Sequence, residues 1–296
     1  MTIATEAASS SSAASVIILA AGVGRRLGLS QANACLPKVL LEFGGRSLLA
    51  RHISILRKCG MSNITVVAGY RAQLLRAEIA RIEGGSTVSI IENFDYQEGS
   101  VVSLWTAREI LRSVSRVILM DGDVLYDERL MARLVSTRLK NCLLLDRNIE
   151  PGDEPVKICV AHGRIVDFHK RPRVAHEWYG ESVGFFHFAP DSAAELATRA
   201  EAYVTQGRRD MEYEELIRDM ILASGPRDFG FEDISGLPWI EIDFLEDAEK
   251  ARSANSASEI LPLPSTSTSL TFTPNGSESF QSSQLAMVGE HHPHAA

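Results

Sequence analysis

Three groups of residues could do chemistry by their type and spacing. The first is Ser15 to Gly28, SVIILAAGVGRRLG, where an apolar run rich in β-branched residues breaks into a glycine turn, with Pro37-Lys38 soon after. Glycines let backbone amides converge on an anion with no Cβ in the way, and Arg25, Arg26 and Lys38 supply the charge that triphosphate oxygens need. The spacing Gly22-x-Gly24-x-x-x-Gly28 lacks the ending of a P-loop and is one residue too long for the dinucleotide fingerprint. The second group is Asp121-Gly122-Asp123, where a strand runs out: two carboxylates two apart share a side, and the glycine between them admits a close ligand. Carboxylate pairs of this kind suit Mg²⁺, although Asp and Gly are equally common in solvated strand-end turns. Trp239-Ile240-Glu241-Ile242-Asp243 repeats the strand ending in an acid; Asp243 alone could also cap the helix expected from Glu246. The third group is the basic loop His169-Lys170-Arg171-Pro172-Arg173, together with Met211-Glu212-Tyr213-Glu214-Glu215. Acids in a first helical turn suit the helix dipole, and an aromatic among acids suits a small cation.

To position these groups the chain needs strand ends on one side of a sheet. Strands are expected at Val16–Leu19, Ile64–Ala68, Val88–Ile91, Val117–Met120 and Cys142–Leu145. Helices are expected at Ser47–Cys59, Arg71–Ile82, Val101–Leu111 and Glu128–Arg138. Such alternation predicts an α/β fold whose parallel sheet carries helices on both faces and gathers ligands at the strands' carboxyl ends. After Asp146 the rhythm changes to a hairpin, Val156–Val160 with Ile165–Phe168, and a strand at Ser182–Phe188. Helices at Ser192–Gln206 and Met211–Ala223 and strands at Phe229–Ile234 and Trp239–Ile242 follow, and this second half should cover the ligand face.

Composition narrows the class. A chain of 296 residues, 45% hydrophobic and 23% charged, can bury a sizeable core. A net charge of −8 argues against nucleic acid as the main partner. Cys35, Cys59, Cys142 and Cys159 show neither C-x-x-C nor metal spacing, which predicts free thiols in a reducing compartment. The run from Val16 is too short to span a membrane, so a cytoplasmic protein without membrane insertion is expected. Residues 1–14 and the Ser-rich 253–296 read as disordered tails around a domain at 15–252. Asn275-Gly276-Ser277 fits a glycosylation acceptor by pattern only, and His291, His292 and His294 read as part of a solvated tail.

Leu19-Ala20-Ala21-Gly22-Val23-Gly24-Arg25-Arg26-Leu27-Gly28 with Leu36-Pro37-Lys38 resembles the LAAGxGxRxG…PK signature of the nucleotidylyltransferases, which join a nucleoside monophosphate to a phosphorylated small molecule. The resemblance covers roughly 15 to 250 and is strongest at the nucleotide end. Asn93, Tyr96, Ser103 and Leu104, together with Gly180-Glu181-Ser182-Val183-Gly184, are closest to the cytidylyltransferases acting on phosphocholine and related phosphates or phosphonates. It implies a Rossmann-like, mostly parallel sheet, with a nucleotide half at about 15–146 and a small hairpin and helical acceptor half at about 147–252. Lys38, Arg25 and Asp123 are then catalytic, and Mg²⁺ sits on Asp123 and Asp243. The nucleotide is held by Leu19, Ala20, Ala21, Gly22, Gly24, Arg25, Arg26, Lys38, Glu98, Gly99, Ser100 and Asp121. Lys170 grips the acceptor phosphate, with Glu181, Tyr213, Glu214, Trp178 and Tyr179 around the rest of the acceptor. Ser100 by itself also reads as a helix N-cap.

The expected reaction transfers CMP from CTP to phosphocholine, phosphoethanolamine, 2-aminoethylphosphonate or an inositol phosphate, with release of pyrophosphate. The alternatives are a sugar-1-phosphate nucleotidylyltransferase using UTP or dTTP and a non-catalytic nucleotide-binding regulator. A homo-oligomer is left open.

Overall fold

The structure, a computed structural model, describes residues 14–24, 26, 36–82, 87–113, 115–149, 152–225 and 228–256. Arg25, Leu27, Gly28, Cys35, the Asn275 pattern, the tail histidines and nearly all of both Ser-rich tails lie outside these residues, as do the expectations attached to them.

The first strand, β1 (Ser15–Ala20), is buried on both faces, as a central parallel strand must be. A 3₁₀ turn at Lys38–Leu40 leads to the short ribbon β2 (Glu42–Phe43) and β3 (Arg46–Ser47). Helix α1 (Leu48–Lys58) is capped by the Ser47 side chain, which accepts from the Ala50 amide. β4 (Asn63–Ala68), α2 (Ala72–Arg81) and β5 (Val88–Glu92) follow. The helix expected at 101–111 is two pieces, α3 (Ser100–Thr106) and α4 (Arg108–Leu111), broken at Ala107. Then come β6 (Val117–Asp121), β7 (Val124–Tyr126), α5 (Glu128–Ser136) and β8 (Asn141–Asp146). The second half holds β9 (Lys157–Ala161), β10 (Arg164–His169), β11 (Trp178–Phe188), α6 (Pro190–Thr205), α7 (Glu214–Ala223), β12 (Phe229–Asp233), β13 (Trp239–Glu241) and α8 (Leu245–Ser256).

The main sheet runs β10-β9-β11-β6-β1-β4-β5, with β8 against β11 and β12 against β8. β6, β1, β4 and β5 are mutually parallel, so their carboxyl ends open on one side. β11 enters antiparallel to β6, β8 and β9, and a register shift between Ser182 and Phe186 lets it serve all three. β13 pairs with β7 in a separate two-stranded ribbon, which brings Glu241 opposite Val124.

Alternation along β1 splits the apolar core in two. Val16 and Ile18 join α1, α2, α5 and α8 on one face, while Ile17 joins α3, α4, α6 and α7 on the other. The result is the expected α/β sheet flanked by helices, with antiparallel strands added at one end. Among the described residues no helix is long and apolar enough to cross a membrane.

Candidate active site

Each site element starts from a strand that runs out. β1 ends at Ala20, and Ala21, Gly22, Val23 and Gly24 turn away from the sheet, Gly24 with φ +66°. The Leu19 carbonyl accepts from the Gly122 amide at 2.9 Å and the Ala21 carbonyl from the Tyr70 amide at 3.0 Å. This fastens the glycine turn to the ends of β6 and β4. Asp121 closes β6, Asp123 follows it, and Ile242 donates its amide to the Asp123 carbonyl at 2.9 Å.

That last bond brings two distant segments together. Oxygens of Asp123, Glu241 and Asp243 lie within 4.8 Å of one another. Lys38 Nζ donates to Asp123 Oδ2 at 3.0 Å and to Asp243 Oδ1 at 2.5 Å. Burial works against the Lys38 ammonium, but the two aspartates outweigh it and hold its pKa above the ordinary lysine value. Arg26 Nη1 reaches Glu154 at 3.1 Å and Asp243 at 3.4 Å from the exposed side. Enclosure and the charges of Asp123 and Asp243 raise the Glu241 carboxyl, although the residue remains exposed. An all-carboxylate set of this kind fits a hard divalent cation, which takes oxygen ligands and relieves the crowding. Asp123 and Asp243 were both expected as ligands; Glu241 was not, although its i, i+2 spacing to Asp243 repeats that of Asp121 to Asp123.

Asp121 turns elsewhere. Its Oδ2 accepts from the Tyr213 hydroxyl at 2.8 Å. Burial and the nearby Glu214, Asp123 and Glu241 charges raise its pKa well above the usual carboxylate value. Gly184, at φ +75°, faces this carboxylate so closely that a Cβ would lie 2.2 Å from Oδ2, so only glycine fits there.

A cleft of about 450 Å³ continues from this point, lined by Asp121, Asp146, Glu181, Glu214 and Lys170 among others. Lys170 Nζ pairs with Glu212 Oε1 at 3.0 Å, while the neighbouring Arg171 pairs outward with Asp153 at 3.1 Å. Glu214 is pushed up to about 7 by burial and by Glu212, and its Oε2 is buried with no partner among the described residues. Asp146 and Trp239 also line the cleft, the indole Nε1 donating to Asp146 Oδ2 at 2.8 Å. Neither was anticipated, but Asp146 carries the same signal as Asp121, an acid that closes a strand.

The aromatic residues expected around the acceptor are placed differently. One face of the Trp178 ring carries the Arg147 guanidinium at 4.5 Å, and Phe231 packs edge to face with it at 5.6 Å. Tyr179 is 41% exposed and packs on His176. Neither lines the cleft; of the β11 residues paired with β9, it is Glu181, opposite Lys157, that does. Tyr213 does not line it either: its ring is buried against Phe186, and it bears on the cleft only by donating its hydroxyl to Asp121.

The 93–100 loop is tied to the segment before α7. Gly99 donates its amide to the Arg209 carbonyl at 2.8 Å, and Arg209 pairs with Glu98 at 2.5 Å and Asp95 at 2.7 Å. Ser100 is not the cap of α3; Gly99 holds that position, and Ser100 Oγ accepts from the Tyr213 amide at 2.8 Å. These contacts therefore tie the 93–100 loop to the segment that leads into α7.

A family model described as the MobA-like NTP transferase domain matches residues 16–167. The chain belongs to this family. It thus carries a nucleotidyltransferase-type domain. Its relatives include the CMP-5'-(3-aminopropyl)phosphonate synthase of Streptomyces rubellomurinus, 26% identical over 248 residues. That match takes 79% of this chain but only 38% of the relative, so the chain spans about two fifths of its length. The CTP:phosphoglutamine cytidylyltransferase of Campylobacter jejuni is 22% identical over 259 residues, 79% of this chain and 97% of that one. Sugar-phosphate transferases match as well, among them the mannose-1-phosphate guanyltransferase of Debaryomyces hansenii, 27% identical over 113 residues, 38% of this chain and 31% of that one. Among solved structures, the CTP:phosphocholine cytidylyltransferase of Streptococcus pneumoniae superposes with a TM-score of 0.63 at 20% identity, over 81% of this chain and 98% of that one. The nucleotidyltransferase therefore shares their fold.

Proposed function

We propose that this nucleotidyltransferase uses CTP and Mg²⁺ to transfer CMP to a small phosphate or phosphonate that carries a primary ammonium group. The observation that carries the reading is the acidic cleft that takes in Glu241 and Asp243 and extends from them. Asp121, Asp146, Glu181 and Glu214 line it, and the Glu214 Oε2 has no partner among the described residues. A neutral polyol phosphate brings no positive charge to this acidic lining, whereas an ammonium does and can donate to its carboxylates. A quaternary ammonium would draw on ring faces alone; Trp239, Phe186 and Phe244 line the cleft while Trp178 and Tyr179 stand outside it, but the excess of carboxylates in the lining favours a cation that can also donate hydrogen bonds. CTP and the phosphorylated or phosphonylated acceptor are taken from the cytidylyl relatives.

The acceptor phosphate is ionised near neutrality, its second pKa being about 6, so no general base is required. Its oxygen attacks the α-phosphorus, forming one P–O bond while the bond to the bridging oxygen breaks and pyrophosphate leaves. The enzyme's work is positioning and charge neutralisation. In this reading Lys170 aligns the attacking oxygen and Lys38 offsets charge at the α-phosphate. The amides of Gly22 to Gly24 and the guanidinium groups of Arg25 and Arg26 hold the outer phosphates. Asp123, Glu241 and Asp243 would hold the metal, which when bound supplies Lewis-acid charge to the phosphate being transferred.

The test is pyrophosphate release with Mg²⁺ and CTP against 3-aminopropylphosphonate, 2-aminoethylphosphonate, phosphoethanolamine, phosphocholine, inositol 1-phosphate and glucose 1-phosphate, repeated with UTP. Primary amines should exceed phosphocholine in kcat/KM by about tenfold or more, the worth of a charged hydrogen bond. Activity confined to UTP and glucose 1-phosphate would replace this reading with a sugar-1-phosphate transferase.

A further inference from the structure

On the sheet face that α1 shares with α5 and α8, α1 buries a histidine beside Leu48, Leu49, Ile53 and Leu56. His52 is 1% exposed, and its Nε2 lies 2.9 Å from the carbonyl oxygen of Gly122. A carbonyl can only accept, so Nε2 bears the proton, and burial keeps the ring neutral by pushing its pKa down to about 4. The ring stacks on Tyr126, with centroids 5.5 Å apart and planes 15° from parallel, and Tyr126 packs edge to face on Phe185 of β11 at 4.8 Å. The other ring nitrogen, Nδ1, is buried with no partner among the described residues. For packing alone, an apolar ring of similar size would serve better, because it would bury no unpaired nitrogen.

The bond that His52 does make falls on the turn between Asp121 and Asp123. We propose that His52 is a positioning residue which, by holding the Gly122 carbonyl, fixes the Asp121-Gly122-Asp123 turn and with it the carboxylate cluster; the inference rests on reading that cluster as the metal site. The Gly122 peptide is held on both sides, its amide by the Leu19 carbonyl at 2.9 Å and its carbonyl by His52. A Cβ on Gly122 would lie 2.8 Å from the Leu19 oxygen, so the turn is pressed against the end of β1 and has little room to shift that way. From the next residue the restraint passes on, since the Asp123 carbonyl accepts from the Ile242 amide, between Glu241 and Asp243. Freed of its histidine, the Gly122 carbonyl would seek another donor, and the peptide could rotate. Asp123 would then move relative to Glu241 and Asp243.

Three variants separate positioning from packing. His52→Phe keeps a ring on Tyr126 but donates nothing to Gly122. His52→Gln can return an amide N–H to roughly the Nε2 position. His187→Phe serves as the control: His187 is also buried and also has an unpartnered Nδ1, but it pairs with Ile118 near the opposite end of β6. Two readouts are taken on the full chain without nucleotide: Mn²⁺ affinity by calorimetry, and hydrogen–deuterium exchange of the 119–125 segment without metal. His52→Phe should weaken Mn²⁺ binding by about tenfold or more, the usual loss when a supporting hydrogen bond of a metal site is removed, and should speed exchange at 119–125. His52→Gln should restore both, and His187→Phe should change neither, even if its Tm falls. Wild-type Mn²⁺ affinity and exchange in His52→Phe would overturn the inference, as would a Gln variant as impaired as the Phe variant at equal Tm. If the wild-type protein binds no Mn²⁺, the proposed metal site fails, and exchange at 119–125 still decides the role of His52.

Discussion

The proposed nucleotide end and the proposed acceptor end of this molecule are built on opposite plans. At the nucleotide end, parallel strands stop together, and the chemistry follows each strand within a few residues: Gly22 and Gly24 after β1, Asp121 and Asp123 at β6. At the acceptor end, Glu181, Glu214, Asp146 and Lys170 come from β11, α7, β8 and the turn after β10, and antiparallel pairing and helix packing bring them to one cleft. A site made of strand ends is a local property of the chain, whereas a site made of strand and helix faces depends on register.

If this contrast is right, substitutions at the two ends should fail differently. The largest effect is expected at the nucleotide end, where Lys38→Ala should lower turnover in pyrophosphate release by about 10²–10³-fold, as for loss of one preorganised donor to developing charge. Turnover within tenfold of wild type would remove Lys38 from the reaction.

Next comes the support of the acceptor end. Asp167 is fully buried and accepts from Arg218 Nε at 2.7 Å, from the Arg173 amide at 2.7 Å and from the Val174 amide at 3.1 Å, fastening the loop that follows Lys170. Burial alone would raise its pKa, but Arg218 and the amides lower it from 3.8 to about 2. A carboxyl depressed in the folded state stabilises the fold above its unfolded pKa. As pH falls from about 4 to about 2, the unfolded chain takes the proton first, and roughly 2 kcal/mol of stability is lost. Urea unfolding across that window should show this slope in the wild type and a flatter one in Asp167→Asn; equal slopes would show that Asp167 is not the group responsible.

Glu214→Gln probes the cleft itself. It should raise KM for an amine-bearing acceptor about tenfold, the loss of one charge-assisted hydrogen bond, and leave KM for CTP unchanged. An equal rise in both would mean that the two ends do not divide the labour as proposed. The smallest effect is expected at Tyr179→Ala, which should change kcat/KM by less than about twofold, as surface substitutions usually do. A larger loss would return Tyr179 to the acceptor site.

The same contrast explains what could be read without coordinates. Most element positions followed from periodicity, and the resemblance paired Asp123 with Asp243, whose carboxylates lie within 4.8 Å of each other; that Lys38 bridges them was not foreseen. The exceptions each have a physical cause. Ser100 looks like an N-cap, yet Gly99 takes that position and the Ser100 hydroxyl serves the Tyr213 amide instead, a partner far away in sequence. Trp178 and Tyr179 look like an aromatic box, yet Arg147 and Phe231 pack on the Trp178 ring and Tyr179 packs on His176, partners far away in sequence or outside the cleft. Glu241 joins the cluster because β13 pairs with β7, and a three-residue strand gives little pattern from which to foresee a partner.

The sequence by itself determined the alternation that makes a parallel sheet, the glycine turn at the end of β1 and the acids at the ends of β6 and β13. These are short-range consequences of side-chain period, glycine freedom and strand termination. Only the tertiary structure decided which acids cluster at the end of β6, which line the cleft and which histidine stands behind the turn. Those outcomes depend on strand register and on packing between residues far apart in the chain, and a one-residue shift in pairing would send each side chain to the opposite face.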